Sequence, residues 1–129
     1  MSDAEVIEAA RSLIAACYVP GRHEVAAALK TRSGKIFAAV HLEASVGRVA
    51  VCAEAVAIGM AASAGDTEIE QIVAVDRNGE IIPPCGMCRE LISDYAPTAQ
   101  VVLGGKNGAE FTAIVDLLPR KYRSSDDQW

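Results

Sequence analysis

Apolar residues recur along this chain in two alternating rhythms. From Ala4 to Tyr18 they fall at Val6, Ile7, Ala10, Leu13, Ile14 and Cys17, a period of about 3.6 that predicts an amphipathic helix. Pro20-Gly21 closes it. Val25 to Thr31 and Ile36 to Leu42 are short apolar runs joined by Arg32-Ser33-Gly34-Lys35, the pattern of a hairpin whose glycine supplies the turn. Cys52 to Ala64 is rich in alanine and free of proline, so it predicts a second helix ended by Gly65-Asp66. Ile69 to Val75 predicts a strand leading into the polar turn Asp76-Arg77-Asn78-Gly79. A third helix is expected from Cys85 to Tyr95, after Pro83-Pro84 and before Pro97. Gln100 to Leu103 reads as a fourth strand, Gly104 to Gly108 as a loop, Phe111 to Ala113 as a fifth strand and Ile114 to Leu118 as a last helical turn. Helices alternating with strands after an initial hairpin predict an α/β fold, a mixed sheet with helices packed on it. No repeat or linker interrupts the pattern, so one domain is expected over residues 1–129, with mobile ends at 1–3 and 124–129.

Composition narrows the function classes. A chain of 129 residues buries roughly two thirds of its unfolded surface, and 51% hydrophobic residues argue against extensive disorder. No apolar stretch reaches the roughly 18 residues of a membrane span. The start, Met1-Ser2-Asp3-Ala4-Glu5, is acidic where a secretory signal is basic, so a cytoplasmic location is expected. In that compartment the four cysteines read as metal ligands or catalytic thiols rather than disulfides. Net charge is −5, and no basic cluster precedes Arg120-Lys121-Tyr122-Arg123. That balance disfavours a nucleic-acid partner and favours a free small molecule.

Chemistry concentrates in Cys52-Ala53-Glu54 and Pro84-Cys85-Gly86-Met87-Cys88. Zinc takes thiolate sulfur readily, and a catalytic zinc keeps three protein ligands with a fourth position open. Cys52, Cys85 and Cys88 supply three. All three fall near predicted helix N-termini, where the macrodipole contributes about half a positive charge and favours thiolate. Glu54, in the first turn after Cys52, is placed to move protons, and acid–base transfer by one carboxylate is worth about 10²–10⁴ in rate. Blander readings stand beside these. Cys85 and Cys88 also suit a redox pair or a closed structural zinc site with Cys17 as fourth ligand, although Cys17 is expected on an apolar helix face. Glu54 also suits an ordinary first-turn glutamate. A non-catalytic zinc module would enclose its ion with four protein ligands, whereas an enzyme needs an open position and a pocket.

The paired motifs match the signature of zinc deaminases, in which the glutamate is acid/base and not ligand. From about Tyr18 to Pro119 the chain resembles the cytidine deaminase family, which includes the related blasticidin S deaminase. Cys-Ala-Glu falls on Cys52-Ala53-Glu54, Pro-Cys-Gly-x-Cys-Arg on Pro84 to Arg89, and a closing acidic-Leu-Leu-Pro on Asp116-Leu117-Leu118-Pro119. The resemblance implies a three-layer α/β/α fold with a five-stranded mixed sheet, one zinc per subunit and a homotetramer whose pockets borrow side chains from neighbours. It implies an aminopyrimidine substrate, with Ala53 among the substrate-binding residues. Nucleoside enzymes carry Asn-x-Glu for the sugar where this chain has His41 and Glu43, so Glu43 fits and His41 departs. The segment from His23 to Leu29 lacks their phenylalanine and is more similar to blasticidin S deaminase. Ala55 stands where many nucleoside enzymes place an arginine that balances thiolate charge, a role Arg89 can take instead. The spacing from Glu43 to Cys52 keeps the nucleoside-enzyme length. Cytidine and deoxycytidine are therefore the first expectation and a blasticidin S-like substrate the alternative. His23 and His41 are open between substrate contact and structural roles, Arg89 between charge balance and a contact within its own helix. Trp129 is expected to be a loose terminus or a tail reaching a neighbour's pocket.

Overall fold

The computed structural model describes residues 2–125, with side chains from Ala4 onward. Expectations for Met1 and for 126–129, Trp129 included, lie outside those residues. Helix α1 spans Ser2–Cys17 and is followed by β1 (Ala26–Thr31), β2 (Ile36–Val40), α2 (Ala53–Ser63), β3 (Ile69–Val75), β4 (Ile81–Ile82), α3 (Gly86–Tyr95), β5 (Gln100–Gly105) and β6 (Gly108–Ala113). Single 3₁₀ turns occupy Gly47–Val49 and Ile114–Leu117.

The main path of the sheet runs β2-β1-β3-β5-β6, the five strands expected. β1 is antiparallel to β2 and β3, β5 is parallel to β3, and β6 returns antiparallel to β5. A sixth strand that the sequence did not announce, the two-residue β4, pairs with the end of β3. The loop expected over Gly104 to Gly108 contracts to Lys106-Asn107, and β6 begins at Gly108 rather than Phe111. Gly108 has φ 109, which an L side chain resists, so this glycine permits a tight hairpin.

Strand alternation builds a core on each face. Ala26, Ala28, Val73, Val75 and Val102 face α1, where Val6, Ala10 and Ile14 meet them at four-residue spacing. On the other face Leu29, Ile72 and Val101 pack with Ala57, Ile58 and Ala61 of α2 and with Cys88 and Ile92 of α3. Helix, sheet and helix thus form the expected three layers. Cys17, expected on the buried stripe, is exposed. It is the last residue of α1.

One row of the sheet decides how closely α2 approaches. Ala39, Ala27, Ala74 and Ile82 stand opposite one another across four strands. Ala53, the first residue of α2, packs against Ala27 and Ala74. Methyl groups keep that row shallow, so the N-terminus of α2 settles onto the sheet.

Candidate metal and active site

Two helix N-termini meet above this row. Cys52 is the N-cap of α2 and Cys85 the N-cap of α3, so each helix begins one residue later than expected. Cys52 does not use its side chain to cap α2. The two sulfurs lie 3.8 Å apart. Cys88, in the first turn of α3, completes a cluster whose three Sγ atoms lie within 4.8 Å of one another. Two sulfurs bound to a tetrahedral zinc at about 2.3 Å stand about 3.8 Å apart, so the cluster fits the ion. Cys17 is not part of it. Three thiols with no fourth protein ligand among the described residues suit an open catalytic site better than a closed structural one.

Burial and the helix ends set the local electrostatics. Cys88 is 2% exposed, and burial first, then the nearby Glu54 carboxylate, push its thiol far above the ordinary range. Burial also raises Cys52, opposed by its hydrogen bond with Cys88. At Cys85 the upward pull of burial is outweighed by the backbone N–H of Cys88, the two neighbouring thiols and the N–H of Met87, and the net shift is downward. Helix amides reaching a sulfur favour thiolate, so Cys85 is the most readily ionised of the three. Glu54 is 6% exposed. Its burial holds the carboxyl above the usual carboxylate range, with partial opposition from its own backbone N–H and from Cys88.

A cavity of about 250 Å³ opens beside these groups, lined by His41, Cys52, Ala53, Glu54 and Cys85 together with apolar side chains that include Val25, Ile82 and Pro83. Apolar walls with a few convergent polar groups are what a flat heterocycle requires. Ala53 is among the lining residues. Pro83, legible only as part of the proline pair that precedes α3, also furnishes a wall; Ile82 does so because β4 pairs with β3, a contact with no local sequence signal.

The remaining candidates divide. The His41 Nδ1 accepts the backbone N–H of Glu24 at 2.9 Å, and the His23 Nδ1 lies 2.9 Å from the carbonyl oxygen of His41. His23 therefore braces His41, which lines the cavity. Glu43 is half exposed and outside the cavity lining, its Oε2 3.9 Å from the Nε2 of His41, which does line it. Arg89 donates from Nε to the Pro84 carbonyl at 2.9 Å and from a terminal nitrogen to the Leu117 carbonyl at 3.2 Å. It ties the Cys85 loop to the 3₁₀ turn after β6, a role its position beside Cys88 did not disclose.

A hydrolytic site of this kind has known counterparts. The chain belongs to the cytidine and deoxycytidylate deaminase family: residues 1–104 match the family's zinc-binding region. It is a hydrolytic deaminase with zinc as its cofactor. A protein named blasticidin-S deaminase from Bacillus cereus is 46% identical over 128 residues, covering 93% of this chain and 91% of that one. Cytidine deaminase from Halalkalibacterium halodurans is 30% identical over 112 residues, covering 84% and 85%. The crystal structure of cytidine deaminase from Burkholderia pseudomallei superposes with a TM-score of 0.81 at 33% identity, covering 95% of this chain and all of that one.

Proposed function

We propose that this enzyme removes the exocyclic amine from the 4-aminopyrimidine ring of a free nucleoside-type substrate, releasing ammonia. The observation that carries the reading is a buried Glu54 beside three convergent thiols at the edge of a narrow apolar cavity. Zinc held by three protein ligands provides a water that ionises near neutrality, at a pKa of about 7. Glu54 would take a proton from the attacking water and return it to the ring nitrogen beside the reacting carbon, then take the proton of the newly added hydroxyl and pass it to the departing amine, so that ammonia leaves as the ring carbonyl forms. Its burial keeps the carboxyl basic enough to accept and acidic enough to return. Cys52, Cys85 and Cys88 are the zinc ligands, Ala53 and the apolar walls hold the ring, and His41 and Glu43 face its substituent.

Blasticidin S is placed first among substrates, because 46% identity extends over nearly the whole chain of a protein named for it. Cytidine and deoxycytidine are the second reading, favoured by the nucleoside-enzyme length between Glu43 and Cys52. The enzyme acts as a cytoplasmic homotetramer. The exposed Leu42, Val46 and Val49 leading into the site supply apolar surface for a neighbouring subunit. Ammonia release by the zinc-loaded protein, measured against blasticidin S, cytidine and deoxycytidine, tests the assignment. Turnover of blasticidin S with the highest kcat/KM is expected; no release from any of the three overturns it.

A further inference from the structure

His41 sits just beyond the end of β2 and lines the cavity. Three contacts fix it. Its backbone N–H donates to the Val25 carbonyl at 2.9 Å. Its own carbonyl lies 2.9 Å from the His23 Nδ1; a carbonyl only accepts, so His23 carries its hydrogen on Nδ1. The ring itself is held by the Glu24 backbone N–H, which points at the His41 Nδ1 from 2.9 Å. A backbone amide has no alternative role. With Nδ1 accepting, the ring hydrogen of His41 resides on Nε2.

We propose that His41 is a specificity-determining residue, locked by Glu24 as the Nε2–H tautomer so that it offers the substrate's substituent a hydrogen-bond donor and no acceptor. The inference rests on the pyrimidine-deaminase reading and deepens it. The Nε2 stands 3.9 Å from the Glu43 Oε2, beyond hydrogen-bond length, so the donor is not consumed by its neighbour. Glu43, as a carboxylate, only accepts. The pair therefore presents one fixed donor beside one fixed acceptor. It suits an aminopyrimidine whose substituent sets an acceptor oxygen beside a hydroxyl, and it disfavours a substituent that needs to donate at both points. An asparagine in place of His41 provides donor and acceptor on one carboxamide and removes that discrimination.

Two measurements test this. Nitrogen-15 spectroscopy of the imidazoles in the zinc-loaded wild-type protein is expected to show the His41 hydrogen on Nε2; a hydrogen on Nδ1 overturns the proposal. For His41→Asn, the ratio of kcat/KM between blasticidin S and cytidine is expected to shift by about tenfold, mainly through KM, with zinc content unchanged. His41→Phe, which has no donor, should raise KM for both. Equal changes in both substrates for His41→Asn overturn the specificity role while leaving the deaminase reading intact. Absence of ammonia release by the wild-type protein from blasticidin S, cytidine and deoxycytidine alike removes both.

Discussion

Burial raises the pKa of two thiols and one carboxyl at this site. Cys52 and Cys88 both hold their protons to higher pH than a free thiol, from burial first, and only Cys85 is shifted the other way. The metal-free protein thus binds more protons at this site than the zinc-loaded one, so zinc binding expels protons and apparent affinity rises with pH. Chelator competition at about pH 6, 7 and 8 should show zinc held at least about tenfold more tightly for each pH unit gained. An affinity flat or falling with pH would contradict the thiolate assignment. The same exclusion of water serves Glu54, whose raised carboxyl comes from burial and not from a charged neighbour. Arg89 contributes differently. It donates hydrogen bonds to the Pro84 and Leu117 carbonyls, which makes it a tether for the Cys85 loop.

Among elements, the alanine row under α2 governs the site. Ala27 and Ala74 pair across β1 and β3 and are almost wholly covered by Ala53 and its neighbours. Replacing Ala74 with leucine forces bulk into a closed layer, at a cost of about 1–3 kcal/mol, and lifts the end of α2 that carries Cys52. Thermal unfolding and zinc content of Ala74→Leu should fall together; a variant with normal stability and full zinc would show that the row does not set the helix position. These elements also show where sequence was informative. The periods of α1, α2 and β3 and the Cys-Ala-Glu and Pro-Cys-x-x-Cys spacings located the layers and the thiol cluster, because each is a local pattern. β4, the tight Gly105–Gly108 hairpin and the Glu24 to His41 contact were illegible. Each depends on residues brought together by pairing across the sheet, and glycines that signal loops also permit tight turns. Cys17 misled because apolar spacing alone does not guarantee burial at the last residue of a helix.

For the whole molecule, one sheet covered on both faces leaves the cavity mouth beside exposed Leu42, Val46 and Val49. A tetramer predicts a light-scattering mass of about 54 kDa, four copies of 13.5 kDa, and a monomeric mass would remove the need for a neighbour at the rim. Among the described residues no helix is long and apolar enough to cross a membrane. The account's central claim is that Glu54 carries protons beside a zinc it does not ligate. Exchange of Glu54 for glutamine preserves shape and removes the acid–base group. Ammonia release from the best pyrimidine substrate, measured alongside zinc content for wild type and Glu54→Gln, should fall by about 10²–10⁴ at unchanged zinc; near-normal release from a zinc-loaded Glu54→Gln protein would contradict it.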